Sequence, residues 1–154
     1  MDGLSAATTI IAVIQVSVQV YDVCRTYYME VRDARKDIQS LRDEVMSLQD
    51  VSINLRDLAE DSASADLSSL TLVSQENGPL KQCQRDLEGL VAKLNPGQGK
   101  NTMRQYGLRA LKWPFTSKDV DKVLVTIGRH KATFNLVLAA DNVYGSGTRT
   151  TLQV

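Results

Sequence analysis

Apolar residues recur every three or four positions along most of this chain of 154 residues, and that spacing is typical of amphipathic helices. The first such segment runs from Leu4 to about Val31 and is apolar on nearly every side of the helix. Its many Ile, Val and Thr residues would suit a strand, but a strand of this length is rare. No turn residue interrupts the segment before Glu30, so it is predicted to be a helix.

The second segment has the pattern of a long amphipathic helix. Its apolar residues form one stripe at close to heptad spacing, and the charged residues lie off that stripe. The stripe consists of Val31, Ala34, Ile38, Leu41, Val45, Leu48, Val51 (or Ser52), Leu55 and Leu58. No Gly or Pro marks a corner near residues 28–33, so the pattern leaves open where the first helix ends.

Residues 61–78 are predicted to form a loop, because they include five serines and lose the apolar stripe. The tripeptide Asn-Gly-Pro at positions 77–79 then indicates the start of a helix, with Pro at its first position. The third helix is predicted to run from Leu80 to Leu94, where the Asn-Pro-Gly tripeptide at 95–97 ends it.

A short helix of one or two turns is predicted within residues 102–111. Thr116 and Asp119 then match a capping box, in which each side chain accepts a hydrogen bond from the other residue's backbone NH, and this box begins the last helix. Beyond residue 140 the apolar pattern dissolves into a linker-like tail that contains glycines.

Together these segments predict an all-α fold: a four-helix bundle with an additional short helix and long N-terminal helices. Residues 1–140 are predicted to form the bundle, and residues 141–154 a flexible tail or the start of a linker to a missing C-terminal region. Lys plus Arg and Asp plus Glu both number 18, so the net charge is zero. A neutral chain has no global attraction for nucleic acid or for an anionic membrane, and no nucleic-acid partner is predicted.

Little in the sequence supports catalysis, and the chain is predicted not to be an enzyme. His130 is the only histidine and lies between Arg129 and Lys131, so it is interpreted as a surface or boundary residue. Cys24 and Cys83 fall within helical patterns and are interpreted as free, buried thiols in a reducing compartment. One histidine and two scattered cysteines make no zinc site, and no metal or cofactor is predicted.

The N-terminal segment has no charged residue from Gly3 to Tyr21. These 19 residues would span roughly 28 Å as a helix, close to the hydrocarbon thickness of about 30 Å. On residues alone the central helix of a soluble bundle is favoured, because Gln15, Ser17 and Gln19 make a poor permanent anchor. A third interpretation combines both roles, as a helix stored in the core that moves to the membrane on activation. Because Asp2 stands where a secretory signal has a basic residue, cytoplasmic residence at rest is expected.

A basic stretch has no acidic residue from Gly89 to Ser117. Lys100, Arg104, Arg109 and Lys112 lie in it and Lys118 directly follows it, and Tyr106, Leu108, Leu111, Trp113 and Phe115 lie between these basic residues. Basic residues that alternate with aromatic ones are typical of an interfacial membrane-binding segment, with Trp113 at the headgroup level. A basic connection that packs Trp113 under the bundle is an equally good interpretation.

Several blocks of the sequence resemble the HeLo-like domains that head many fungal NOD-like receptors of the STAND class and cell-death effectors such as HELLP. The blocks are Met1-Asp2-Gly3-Leu4-Ser5-Ala6-Ala7, Glu30-Val31-Arg32-Asp33-Ala34, Ile38-Gln39-Ser40-Leu41, Leu80 through Leu87 with Lys81-Gln82-Cys83, and Met103 through Pro114. The specific part of the match is Gly-Leu-Arg-Ala-Leu-Lys-Trp-Pro at 107–114. The resemblance runs from Met1 to about Ala140.

The resemblance implies a bundle similar to the membrane-permeabilising domains of HET-S, MLKL and plant coiled-coil resistance proteins. It implies oligomerisation after a signal, movement to the plasma membrane and execution of regulated, necroptosis-like fungal cell death. The implied partners are copies of the chain itself, anionic membrane lipids and an upstream NOD-like receptor or amyloid signalling protein. The residues expected to insert are Leu4, Ile10, Ile11, Val13, Ile14, Val16, Val18 and Val20. Those expected to contact lipid, a set inferred from the basic stretch and not a family motif, are Lys100, Arg104, Arg109, Lys112 and Trp113.

The alternative is a homotypic interaction domain, the adaptor of a fungal NOD-like receptor, without membrane activity. Stand-alone effectors of the family usually carry a C-terminal amyloid-forming motif. Residues 141–154 contain no such glycine-flanked apolar core. The sequence therefore leaves open whether the native protein is an executioner or a receptor, and whether this chain is a fragment of it.

Overall fold

The computed structural model describes residues 3–61, 68–94 and 112–152, and for 3–5, 68 and 141–152 it describes the backbone alone. The described residues contain no strand and form five helices. The helices are α1 (Gly3–Glu30), α2 (Arg35–Asp61), α3 (Ser68–Val73), α4 (Pro79–Leu94) and α5 (Ser117–Leu152). The predicted all-α bundle is confirmed.

The four long helices pack around one core. α1 packs along both α2 and α4, and α5 packs mainly on α2 and touches α4 only sparsely. Each long helix contributes buried residues spaced by seven, which is the register of helices packed nearly parallel or antiparallel. These series are Ala6, Val13, Val20 and Tyr27 in α1; Leu41, Leu48 and Leu55 in α2; Leu80, Leu87 and Leu94 in α4; and Val120, Ile127 and Phe134 in α5.

The corner between α1 and α2 contains neither Gly nor Pro, which is why the sequence did not locate it. The last backbone bond of α1 joins the NH of Val31 to the carbonyl oxygen of Tyr27 at 2.8 Å, and Ala34 accepts from the NH of Ile38 at 2.9 Å. Val31 and Ala34 are partly buried and pack against the core. The packing of Val31 and Ala34 therefore stabilises the corner, because a looser turn would expose their apolar surface to water.

The short helix α3 lies inside the segment that was predicted to be a loop. Leu70 and Val73 are buried, and this anchoring outweighs the serine-rich local composition. A Cβ atom at Gly78 would lie 3.0 Å from each of three backbone carbonyl oxygens at the end of α3, so this close approach requires glycine. The short helix predicted within 102–111 lies outside the described residues.

The start of α5 confirms the predicted capping box. The backbone NH of Thr116 donates to Oδ2 of Asp119 at 3.0 Å, and the NH of Asp119 donates to Oγ1 of Thr116 at 3.1 Å. The hydroxyl of Ser117 donates to the carboxylate of Asp37 at 2.9 Å, which joins the start of α5 to the start of α2. Further along, Nζ of Lys131 lies 2.8 Å from the Glu44 carboxylate and links the same two helices.

The backbone of α5 continues as a helix to Leu152, beyond residue 140 where the sequence pattern predicted a linker-like tail. A glycine inside a helix costs about 1 kcal/mol relative to alanine. Adding residues to an existing helix costs far less than nucleating one, so Gly145 and Gly147 do not end it.

Candidate functional site

The N-terminal helix α1 combines membrane length with incomplete burial. Residues Ala6–Glu30 form a helix of 25 residues that is long and apolar enough to cross a membrane. The core helix of a soluble protein passes the same test when most of it is buried. In the most apolar window of α1, 33% of the residues are buried, and the large apolar side chains that are exposed there are those of Ile11 and Val18.

The residues predicted to insert lie on all sides of α1. Ile10, Val13 and Val20 are fully buried in the core. Ile14 and Val16 are partly buried and pack against its edge. Ile11 and Val18 point outward with 39% and 37% of their surface exposed, and the side chain of Leu4 lies outside the described residues.

The buried hydroxyl group of Ser17 is satisfied within α1 itself. Its Oγ donates to the carbonyl oxygen of Ile14 at 2.7 Å, one turn earlier in the same helix. Because donor and acceptor both belong to α1, this bond involves no neighbouring helix and is kept when α1 moves as a unit.

The C-terminal half of α1 is tied to α2 by two tyrosines and two arginines at matching spacings of seven. The guanidinium group of Arg42 stacks on Tyr21 at 5.0 Å and on Tyr28 at 5.6 Å, and that of Arg35 stacks on Tyr28 at 5.2 Å. Arg42 also donates to the hydroxyl of Tyr21 at 3.0 Å, and this hydrogen bond is the main cause that raises the Arg42 pKa. Cation–π contacts of this kind contribute about 0.5–1 kcal/mol each at exposed sites.

Tyr27 forms the contact between the end of α1 and the end of α4. Its hydroxyl donates to the carbonyl oxygen of Leu94 at 2.6 Å, and its ring meets that of Trp113 edge-on at 5.2 Å. Trp113 in turn lies edge-on to Phe115 at 5.3 Å. We call Tyr27, Leu94, Trp113 and Phe115 the aromatic latch.

Of the five residues predicted to contact lipid, the structure describes Lys112 and Trp113. Trp113 is half-buried in the aromatic latch, as the interpretation of a connection packed under the bundle predicted, and its Nε1 is buried with no hydrogen-bond partner among the described residues. Lys112 is exposed beside it. Lys100, Arg104 and Arg109 lie outside the described residues.

A groove that the sequence did not reveal lies between α4 and α5. Its volume is about 310 Å³, and three basic side chains line it, Arg85, Lys93 and Lys122. Leu90 and Ile127 are among the apolar residues that line it. The groove exists because α5 packs on α2 and only sparsely on α4, a feature of helix placement that no local pattern encodes.

One end of the groove is closed by a hydrogen-bonded pair. Nε2 of His130 lies 2.7 Å from Oδ2 of Asp86, and the amide of Gln82 donates to Oδ1 of the same carboxylate at 3.0 Å. Both oxygens of Asp86 therefore have partners. The His130 side chain is 12% exposed, which agrees with its interpretation as a boundary residue.

The family model for "Pigment biosynthesis cluster protein PigL N-terminal" matches residues 1–153 of the chain. The chain belongs to the PigL N-terminal family. This is a fungal N-terminal domain family, so the broader part of the sequence resemblance is confirmed, and the narrower HeLo-like assignment stays a prediction. No curated protein and no solved structure matches the chain.

The two cysteines of this PigL N-terminal domain are free and buried, as predicted. Burial raises the pKa of both Cys24 and Cys83 from 9.0 to about 12, although the positive charge of Arg42 acts in the opposite direction on Cys24. Such thiols are protonated at neutral pH and are poor nucleophiles. Within the described ranges no group of three or more His, Cys, Asp or Glu side chains is placed to hold a metal ion.

Proposed function

We propose that this domain is a HeLo-like, membrane-targeting module that permeabilises the plasma membrane after signal-induced oligomerisation and so executes regulated fungal cell death, with α1 as the inserting helix. The observation that carries the proposal is that α1 has membrane length, has no charge from Gly3 to Tyr21 and exposes the apolar side chains of Ile11 and Val18. The family description places its namesake in a pigment biosynthesis cluster, so the proposal rests on this chain's own residues.

Moving α1 from the core to lipid involves a small net change in hydrophobic energy. Lipid tails are about as apolar as a leucine-rich core, so Ile10, Val13 and Val20 stay out of water in both places. The backbone NH and carbonyl groups of a helix are already paired, as a bilayer requires. The hydroxyl of Ser17 keeps its bond to Ile14 as well.

The contacts that α1 gives up include three in its last three turns. They are the stacking of Tyr21 and Tyr28 on α2 and the bond from Tyr27 to Leu94. These contacts support a resting state in which α1 is held at its C-terminal end.

The experiment places a charge on the outward face of α1. Ile11→Glu and Val18→Glu change exposed side chains, so the fold should change in stability by no more than about 0.5 kcal/mol. A charged side chain within the bilayer costs about 3 kcal/mol, so either variant should reduce leakage from anionic vesicles by roughly a hundredfold. Leakage is measured by dye release, with the chain fused at its C-terminus to an inducible dimerisation domain.

The matched control is Met46→Glu on α2, since Met46 is exposed to a similar degree, 45%, and lies on a helix that is not expected to insert. It should leak like the wild type. Circular dichroism confirms that all three variants remain helical. The proposal would be refuted if the dimerised wild-type chain released no dye from the vesicles. It would also be refuted if Val18→Glu released as much dye as the wild type.

A second part of the proposal concerns the basic stretch before α5 and rests on the sequence together with the exposure of Lys112. Arg104, Arg109 and Lys112 attract an anionic surface at about 1 kcal/mol each. Reversing all three to Glu should therefore weaken sedimentation with anionic vesicles and leave neutral vesicles unaffected. Unchanged sedimentation would remove this stretch from the proposal.

The second candidate function is a homotypic interaction domain, and it is favoured by the outward face of α5. Val125 and Leu136 are 54% and 71% exposed, and a spacing of eleven residues places them on the same face of the helix. A double change to Glu at these positions would abolish self-association if they form the interface. The adaptor function replaces the first proposal if this double variant no longer self-associates and if the wild-type chain does not permeabilise vesicles.

A further inference from the structure

The groove between α4 and α5 carries unpaired positive charge. Arg85, Lys93 and Lys122 line it, and within the described residues none of them forms an ion pair. The charges of Lys122 and Lys93 contribute to lowering the pKa of the Asp119 carboxylate, whose Oδ2 accepts a hydrogen bond from the NH of Thr116 in the capping box. The groove therefore offers free cations to a ligand.

One acidic residue, Asp86, lines the groove beside the three basic ones. Both oxygens of Asp86 are already bonded, to His130 and to Gln82. Asp86 on α4 faces His130 on α5 at one end of the groove. Lys93 lies further along α4 and Lys122 earlier in α5, so in this antiparallel pair of helices the two lysines lie at the other end of the groove. The end that holds Lys93 and Lys122 is thus separate from the end that holds Asp86.

The floor of the groove is apolar. Leu90 and Ile127 line it between the two ends. A volume of about 310 Å³ is at the lower end of the roughly 300–1,000 Å³ typical of small-molecule sites. An inorganic anion would leave this floor wet, whereas a molecule with an acidic head and an apolar body would cover it.

The geometry points to a phospholipid-binding site in this groove, in which Lys93 and Lys122 hold the lipid phosphate and the apolar part of the lipid lies on Leu90 and Ile127. Ammonium groups are suited to binding phosphate, and the charge-assisted hydrogen bonds they form are strong. The site is separate from α1, and binding of a single lipid does not depend on whether the domain permeabilises vesicles.

Gly89 provides a direct test because it lines the groove and a Cβ atom there would meet no atom within 4 Å. Gly89→Leu fills the groove with a side chain that the helix accommodates. Gly128→Leu is the matched control, since Gly128 also lies in a helix, has equally open space and does not line the groove. Both variants should raise Tm by roughly 2–4 °C, because glycine is a poor helix former.

The probe is dihexanoyl phosphatidic acid, used below its micelle concentration and titrated into the 154-residue chain by calorimetry. Gly89→Leu should abolish binding, and Gly128→Leu should bind within about twofold of the wild type. The double variant Lys93→Gln/Lys122→Gln should bind at least about tenfold more weakly. Tm values above that of the wild type for both leucine variants show that loss of binding is not loss of folding.

Three results would overturn the inference. Wild-type affinity in Gly89→Leu would place the lipid elsewhere. Equal affinity for inorganic phosphate would mean that the apolar floor takes no part, and equal affinity for dihexanoyl phosphatidylcholine would mean that the lysines do not select an anion. Each result is independent of vesicle leakage, so failure here is distinguishable from failure of the proposed function.

Discussion

Tyr27 shows how much can depend on a single side chain in this bundle. Its ring belongs to the series of core residues spaced by seven in α1, and its hydroxyl reaches α4. Burial raises the pKa of Tyr27, so the phenol stays protonated and remains a donor at any physiological pH. It therefore forms a polar contact that must break before α1 separates from α4.

Replacing Tyr27 by Phe should test that tie. The variant keeps the ring but leaves the Leu94 carbonyl without its donor, at a cost of about 1–3 kcal/mol in the free energy of unfolding. Urea denaturation measures the loss, and vesicle leakage should become faster. Tyr28→Phe is the control, because no hydrogen bond is described for that hydroxyl. Slower leakage in Tyr27→Phe would contradict the role of the latch.

The two buried thiols give a second prediction at the same scale. Because burial raises the pKa of Cys24 and Cys83 to about 12, alkylation by iodoacetamide at pH 8 should be slow in the native protein and fast in urea. An acid whose pKa is higher in the folded state stabilises the fold below its unfolded pKa. Stability should therefore fall as pH rises from about 9 toward 12. Rapid native alkylation, followed by mass spectrometry, would show that the core opens readily.

Helix α5 illustrates what local chemistry contributes to an element. The capping box fixes its first residue, and the hydroxyl of Ser117 then joins it to Asp37 of α2. The pKa of Asp119 is lowered mainly by its hydrogen bonds to the backbone NH and hydroxyl of Thr116. The nearby charges of Lys122 and Lys93 lower it further. A charged carboxylate is thus favoured in the folded state.

Thr116→Ala should cost about 1 kcal/mol, as expected for loss of an N-cap side chain. Asp119→Asn should lower Tm at neutral pH. Because the folded pKa of Asp119 is depressed, its stabilisation is present above its unfolded pKa of about 4 and is lost as pH falls through the folded value. The Tm difference between Asp119→Asn and the wild type should therefore shrink toward pH 2. A difference that is constant across this range would mean that the charge is irrelevant.

The sequence predicted those elements whose boundaries are marked by local chemistry. Pro79 and the Thr116–Asp119 box start helices where expected, since both act on the backbone directly next to them. It missed α3, because that helix depends on Leu70 and Val73 reaching a distant core. It also could not place the corner at 31–34, where tertiary packing makes the turn without a breaking residue.

At the scale of the whole molecule, Trp113 reports on the joint between α1, α4 and α5. It is the sole tryptophan, and it packs edge-on against Tyr27 and Phe115. In buffer its fluorescence should be quenched only weakly by acrylamide. On anionic vesicles after induced dimerisation, separation of α1 should expose it, and quenching by acrylamide or by brominated lipid should increase. Leakage with unchanged quenching by both agents would show that α1 leaves without opening the latch.

The two candidate sites differ in how far they could be read from the sequence. The charge-free stretch of α1 is a property of consecutive residues and is visible directly, whereas its division into buried Ile10 and outward Ile11 or Val18 needed the neighbouring helices. The groove combines Lys93 and Lys122 from helices that are distant in sequence. It depends on how α5 is placed relative to α4, and periodicity within one helix contains no information about that placement.

The corner at residues 31–34 also determines the direction in which α1 travels. A rigid helix of 28 residues is about 42 Å long, and in the proposed movement it pivots at this corner, where the chain connects it to α2. The free end at Gly3 then sweeps an arc of that radius, which exceeds the hydrocarbon thickness of about 30 Å. In the proposed function the N-terminus therefore crosses first, and the rest of the bundle remains on the side of the membrane from which it came.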